Sequence, residues 1–182
     1  MSDSIRRICV VGMGIALFVV FSLCLQVPVF ENYYLCPGYV AMAVYCFSVG
    51  TAEGTLVGVL GVIMYCLIIS GLRGMPGWAA GNIVIGFALG TLFRFTRDLE
   101  LTVPAAAVSC AVIVAACAAG ILGVKSVVEC LLYSQPFLLR AAKNIYAFWA
   151  DAFVLIVSFP ICRIIDSRVM KYLPRASFQD QA

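Results

Sequence analysis

Residues 101–124 read LTVPAAAVSCAVIVAACAAGILGV, 24 positions without a charge and with Thr102 and Ser109 as the only hydroxyls. A helix that crosses a membrane needs about 20 apolar residues, and this run meets that length from its own residues. A helix on a soluble domain would carry a polar face, and none can be drawn here. The rest of the 182-residue chain repeats the pattern: 64% is hydrophobic, 12% is charged, and the mean hydropathy is +1.06. Soluble domains carry about 25% charged residues, so 21 charges, 12 basic and 9 acidic, cannot supply a polar skin here. An ordinary soluble domain, a disordered chain and a secreted disulfide scaffold are excluded. At about 20 residues per helix, the chain holds at most six spans with short connections.

Outward from 101–124, the spans are expected at approximately 8–27, 38–49, 55–70, 78–93, 101–124 and 144–165, with a basic tail over 166–182. The first follows Arg6 and Arg7 and ends at Pro28. No small-residue cleavage site follows it, so it reads as a retained helix rather than a signal peptide. The second is short. Residues 71–77 (GLRGMPG) form a turn, because Gly and Pro punctuate them. Residues 125–143 carry Glu129, Ser134, Gln135, Pro136 and Arg140 and are expected to be a long loop, placed to close over a pocket as a lid.

The chain has no histidine and no GxxxxGK[ST] run. That removes imidazole chemistry, the HExxH zinc site and a P-loop for ATP. Gly12-Met13-Gly14 begins like a dinucleotide fingerprint, but Leu17 stands at the third glycine position, inside a span. Nine cysteines are scattered without a CxxC pair, and most lie in apolar runs, where cysteine acts as a small hydrophobe. Neither a metal nor a cofactor is expected.

Lys and Arg gather on the cytoplasmic side of membrane proteins. With six spans and the N-terminus inside, eight of the basic residues fall inside and four outside. Five spans would place the basic tail outside. The expectation is an all-α integral membrane protein, a single six-helix domain with both termini cytoplasmic.

Three sets of residues stand out. Gly12 and Ala16, then Gly50, Gly54 and Gly58, then Gly86 and Gly90 recur at four-residue spacing. Small faces let helices approach closely in lipid, either within one bundle or against a second subunit, for which the first helix is best suited. Next, at about 100° per residue, Arg140, Asn144, Asp151 and Ser158 share one face of the last helix. A charge in mid-membrane normally faces a partner or a wet cavity, so Asp151 either lines a site or pairs internally. Last, Tyr33, Tyr34, Trp78, Asn82, Tyr146, Phe148 and Trp149 gather near the outer ends. Such residues commonly form an interfacial belt; flat aromatics beside amides and charges also suit a planar ligand rich in heteroatoms.

The order of segments resembles the S components of energy-coupling factor (ECF) vitamin transporters. The resemblance rests on Arg6-Arg7 before a small-residue helix, Gln26-Val27-Pro28, Leu35-Cys36-Pro37-Gly38, the Gly50/Gly54/Gly58 ladder, and Gly74-Met75-Pro76-Gly77-Trp78 leading into Gly81-Asn82. It closes with Ala142-Lys143-Asn144 and Phe159-Pro160-Ile161-Cys162-Arg163. It implies a multi-pass subunit of a bacterial cytoplasmic membrane, without catalytic activity, that binds a vitamin from outside, working with a membrane coupling subunit and two cytoplasmic ATPases. It implies contact with the coupling subunit through Gly12 and Ala16, in place of the family's AxxxA. It also implies a ligand site near the outer end from Tyr33, Tyr34, Arg73, Trp78, Asn82, Gln135, Arg140, Asn144, Trp149 and Asp151. These residues suit a flavin, a pterin, a corrin or a queuosine-type base equally. The alternative function is a self-contained channel or secondary transporter, but the halves show no inverted repeat and few charges to couple ions. A membrane enzyme ranks last, because Asp151 and Glu53 fall near opposite sides.

Overall fold

The computed structural model describes residues 3–25, 27–30, 33–69, 71–96 and 102–169. The basic tail expected beyond 169 lies outside them. Helix α1 is Asp3–Cys24, followed by strands β1 (Val27–Phe30) and β2 (Tyr33–Leu35). Then come α2 (Gly38–Ser48), α3 (Thr51–Ile68) and α4 (Met75–Thr96). The final pair is α5 (Val103–Cys117), running through a π segment (Ala118–Lys125) into α6 (Ser126–Tyr133), and α7 (Phe137–Val169). Five helical stretches are long and apolar enough to cross a membrane, one of them the whole of Val103–Tyr133. The sixth, α2, is apolar but has 11 residues, in keeping with the short second helix expected from sequence.

Prolines set several starts. Pro104 sits in the first turn of α5 behind an extended Thr102, where its missing N–H leaves no bond unmade. Pro37 precedes α2 and Pro136 precedes α7. Glu53 lies in the first turn of α3, where the helix dipole favours an acid, and it pairs with Arg7 of α1.

Contacts place the elements end to end. Arg163 of α7 donates to the Thr96 carbonyl at the close of α4. A Cβ on Gly86 of α4 would lie 2.6 Å from Thr55 Oγ1 of α3, and one on Gly90 would strike Thr51. The start of α1, the start of α3 and the far ends of α4 and α7 therefore share one end of the bundle, the terminal end. The β-hairpin marks the other. Val27 pairs with Leu35 and Pro28 with Tyr34, antiparallel, and the register then shifts so that Phe30 faces Tyr33.

The small-residue ladders divide cleanly. Gly54 and Gly58 abut Cys46 and Met42 of α2, and Gly86 and Gly90 abut α3, so these glycines serve close packing inside the bundle. A Cβ on Gly12 meets nothing within 4 Å, and Ala16 is exposed beside it.

The long loop expected over 125–143 is corrected. Both of its arms are helical, and the turn between them is confined to 134–136. The polar residues that made it look unable to enter a bundle satisfy one another across the two helices: Asn144 Nδ2 donates to Ser126 Oγ at 3.0 Å and to Glu129 Oε2 at 3.1 Å. Ser134 turns the chain in the left-handed region, with φ 51° and ψ 35°.

Candidate functional site

Between the hairpin and the helix ends lies a cavity of about 210 Å³. Ser22 of α1, Tyr34, Leu35 and Cys36 of the hairpin strand and its exit, and Tyr65 and Ile69 of α3 line one side. Trp78 of α4, Lys125 at the end of the π segment, and Ala147 and Asp151 of α7 line the other. Each element contributes for a local reason. Trp78 sits in the first turn of α4, whose next turn carries Gly81 against the Gly120 carbonyl, 2.7 Å from a Cβ built there. That close approach seats the π segment on α4. A π turn takes more residues than an α turn, and this one ends with Lys125 facing the cavity.

The aromatic wall is built edge to face. Tyr65 and Trp78 meet at 5.8 Å and 84°, and the Lys125 ammonium stands 5.9 Å from the Trp78 ring centre. Asp151 is 4% exposed, is attracted to Lys125 and lies beside the Tyr39 hydroxyl. Opposite, Ser22 donates to the Phe18 carbonyl at 2.7 Å. Its one proton is thus committed, so the Cys36 thiol at 3.1 Å is the donor between them. Burial first, then the Asp151 carboxylate, pushes that thiol up to about 12, so it stays neutral. The cavity offers flat aromatic faces, one cation, one carboxylate and small neutral polar groups. It can hold a planar molecule and fix its edge by a donor and an acceptor.

Of the residues singled out from sequence, Tyr34, Trp78 and Asp151 line this cavity. Tyr33 is on β2, and its side chain lies outside the described residues. Asn82 is 0% exposed and sits behind Trp78, bonded to Tyr39 and to the Gly58 carbonyl. A second cluster gathers around Tyr133. The Arg73 and Arg140 guanidiniums stand 5.5 and 5.0 Å from its ring centre, and its hydroxyl donates to the Arg73 carbonyl. Arg140 also lies 3.8 Å from Glu129, which Asn144 bonds as well. Gln135 occupies the adjoining turn. Trp149 is 62% exposed, lies outside the cavity lining and stands edge-on to Phe148 at 5.1 Å.

Sequence reasoning passed over Ser22, Cys36, Tyr65 and Lys125. Lys125 was assigned to a loop. The others lie in or beside apolar runs where no periodicity marks them. Among the described residues no cluster of metal-ligating side chains occurs. Glu53 lies at the terminal end of the bundle, in the first turn of α3, and Asp151 lies in the middle of α7 on the cavity wall.

A bundle of apolar helices with a cavity of this kind at one end defines a multi-pass membrane protein built to bind a small molecule. The family model for the ECF-type riboflavin transporter S component matches residues 2–166, and the chain belongs to that family. It is an S component, the substrate-binding part of an ECF transporter. No curated protein sequence matches it.

Proposed function

We propose that this chain captures riboflavin, or a flavin close to it, at the hairpin end of the bundle, with that end outside and both termini in the cytoplasm. It then delivers the flavin inward together with a membrane coupling subunit and two cytoplasmic ATPases. The observation that carries the reading is the cavity itself. Trp78, Tyr65 and Tyr34 offer faces for a flat ring, and Lys125 and Asp151 offer a donor and an acceptor side by side. A flavin ring carries carbonyl acceptors beside an N–H donor along one edge, and its sugar-like chain carries hydroxyls that suit Ser22. The family match supports the choice of vitamin, and the excess of basic residues at the terminal end supports the orientation.

The test is a titration of riboflavin into the purified chain, read by quenching of flavin fluorescence. Saturable one-to-one quenching is expected. Liposomes holding the chain alone should take up no riboflavin, and adding the coupling subunit, the ATPases and ATP should start uptake. Absence of quenching would sink the choice of ligand. Uptake by the chain alone would instead establish a self-contained transporter.

A further inference from the structure

Tyr39 is fully buried in the first turn of α2 and is not part of the cavity wall, yet its hydroxyl joins α2 to α4 and, through Asn82, to α3. The Trp78 indole N–H of α4 donates to it at 2.8 Å. The hydroxyl donates to Asn82 Oδ1, one turn further along α4, at 2.7 Å. Asn82 Nδ2 in turn donates to the Gly58 carbonyl of α3 at 2.9 Å. The Asp151 carboxylate of α7 lies beside the same hydroxyl. The close packing of α2 on α1 places it there: a Cβ on Gly38 would lie 2.7 Å from the Phe18 carbonyl oxygen, and Phe18 meets the Tyr39 ring edge-on at 6.0 Å.

We propose that Tyr39 is a positioning residue for the ligand site, acting with Asn82 to lock the Trp78 indole in the geometry that receives the ring. This rests on the flavin-binding reading above and adds residues that need not touch the ligand. An indole is held by packing on its faces and by one hydrogen bond at its edge. Trp78 is packed edge-on by Tyr65, and the edge bond to Tyr39 fixes its rotation. A buried hydroxyl whose partners are themselves satisfied has one arrangement, whereas its loss leaves an indole N–H and an amide oxygen without a bond. Asn82, 0% exposed, thus fits as an anchor rather than a ligand contact.

The experiment uses a Trp149→Phe background, in which Trp78 is the single tryptophan. Tyr39→Phe keeps the ring packed against Phe18 and removes only the hydroxyl. In the ligand-free protein the near-ultraviolet circular dichroism of Trp78 should collapse and its fluorescence anisotropy should fall. Riboflavin should bind roughly tenfold to a hundredfold more weakly, as expected for one buried polar group left unpaired. In a Trp78→Phe background the same change should cost much less, because coupled residues are non-additive. Asn82→Leu should reproduce the Trp78 signal change. An unchanged Trp78 signal and unchanged affinity in Tyr39→Phe would overturn the proposal, as would full additivity with Trp78→Phe. If the background protein binds no riboflavin, the flavin reading fails, and the ligand-free Trp78 signal still decides whether Tyr39 positions the indole.

Discussion

A carboxylate in the middle of an apolar helix needs a partner, and Asp151 has a countercharge in Lys125, with the Tyr39 hydroxyl nearby. Neither comes from its own helix. The pair is neutral overall, so the proposed site selects for hydrogen-bond pattern rather than for net charge. Asp151→Asn should therefore weaken riboflavin binding about tenfold to a hundredfold, the size of one charged hydrogen bond. Trp149→Ala should leave binding within about threefold, because that ring is exposed and lies outside the cavity lining. Both are read by the same fluorescence titration, and equal losses would place Trp149 in the site after all. The sequence exposed Asp151 because a lone charge stands out in a span. It concealed the role of Asn82, because an amide bonded to a buried tyrosine looks no different in sequence from one aimed at a ligand. Lys125 was hidden in another way: the π segment that directs it inward has the same composition as the α-helix before it.

The helices were legible as elements because uncharged apolar runs between turn residues have few alternatives. What escaped was every element whose polar groups are satisfied by a neighbour. The hairpin 27–35 holds Pro28 and a register shift, so no strand periodicity survives. The extension of α7 back to Phe137 and of the preceding helix to Tyr133 depends on Glu129, Asn144 and Ser126 bonding across the pair. A window average counts these residues as polar, and it cannot see that they meet. The turn joining the two helices rests on Ser134 in a left-handed conformation, which costs a residue with a Cβ about 1 kcal/mol relative to glycine. Ser134→Gly should hold or raise the melting temperature in detergent, and Ser134→Val should lower it. A drop with glycine would show that the Ser134 side chain contributes more than its backbone costs.

For the whole molecule, the division between inward and outward glycines separates folding from assembly. Gly12 and Ala16 lie on an open face of α1 with Ile8, Met13 and Val20 exposed around them. Gly12→Leu should leave the melting temperature and riboflavin binding unchanged, while pull-down of the coupling subunit falls several-fold. Loss of stability in the same variant would return this face to bundle packing. A different property follows from the length of α2. Its 11 residues extend about 16 Å at 1.5 Å each, roughly half of the 30 Å hydrocarbon layer. Lipid cannot cover the shortfall with exposed backbone; Cys36, at the head of α2, is buried in the protein instead. Asp151, on the cavity wall, stands 14 residues beyond Phe137 at the start of α7, about 21 Å along the axis at 1.5 Å each. A ligand that reaches Asp151 would stand deep among the helices rather than at their ends, and its release on the other side would have only the remainder of the bundle to pass.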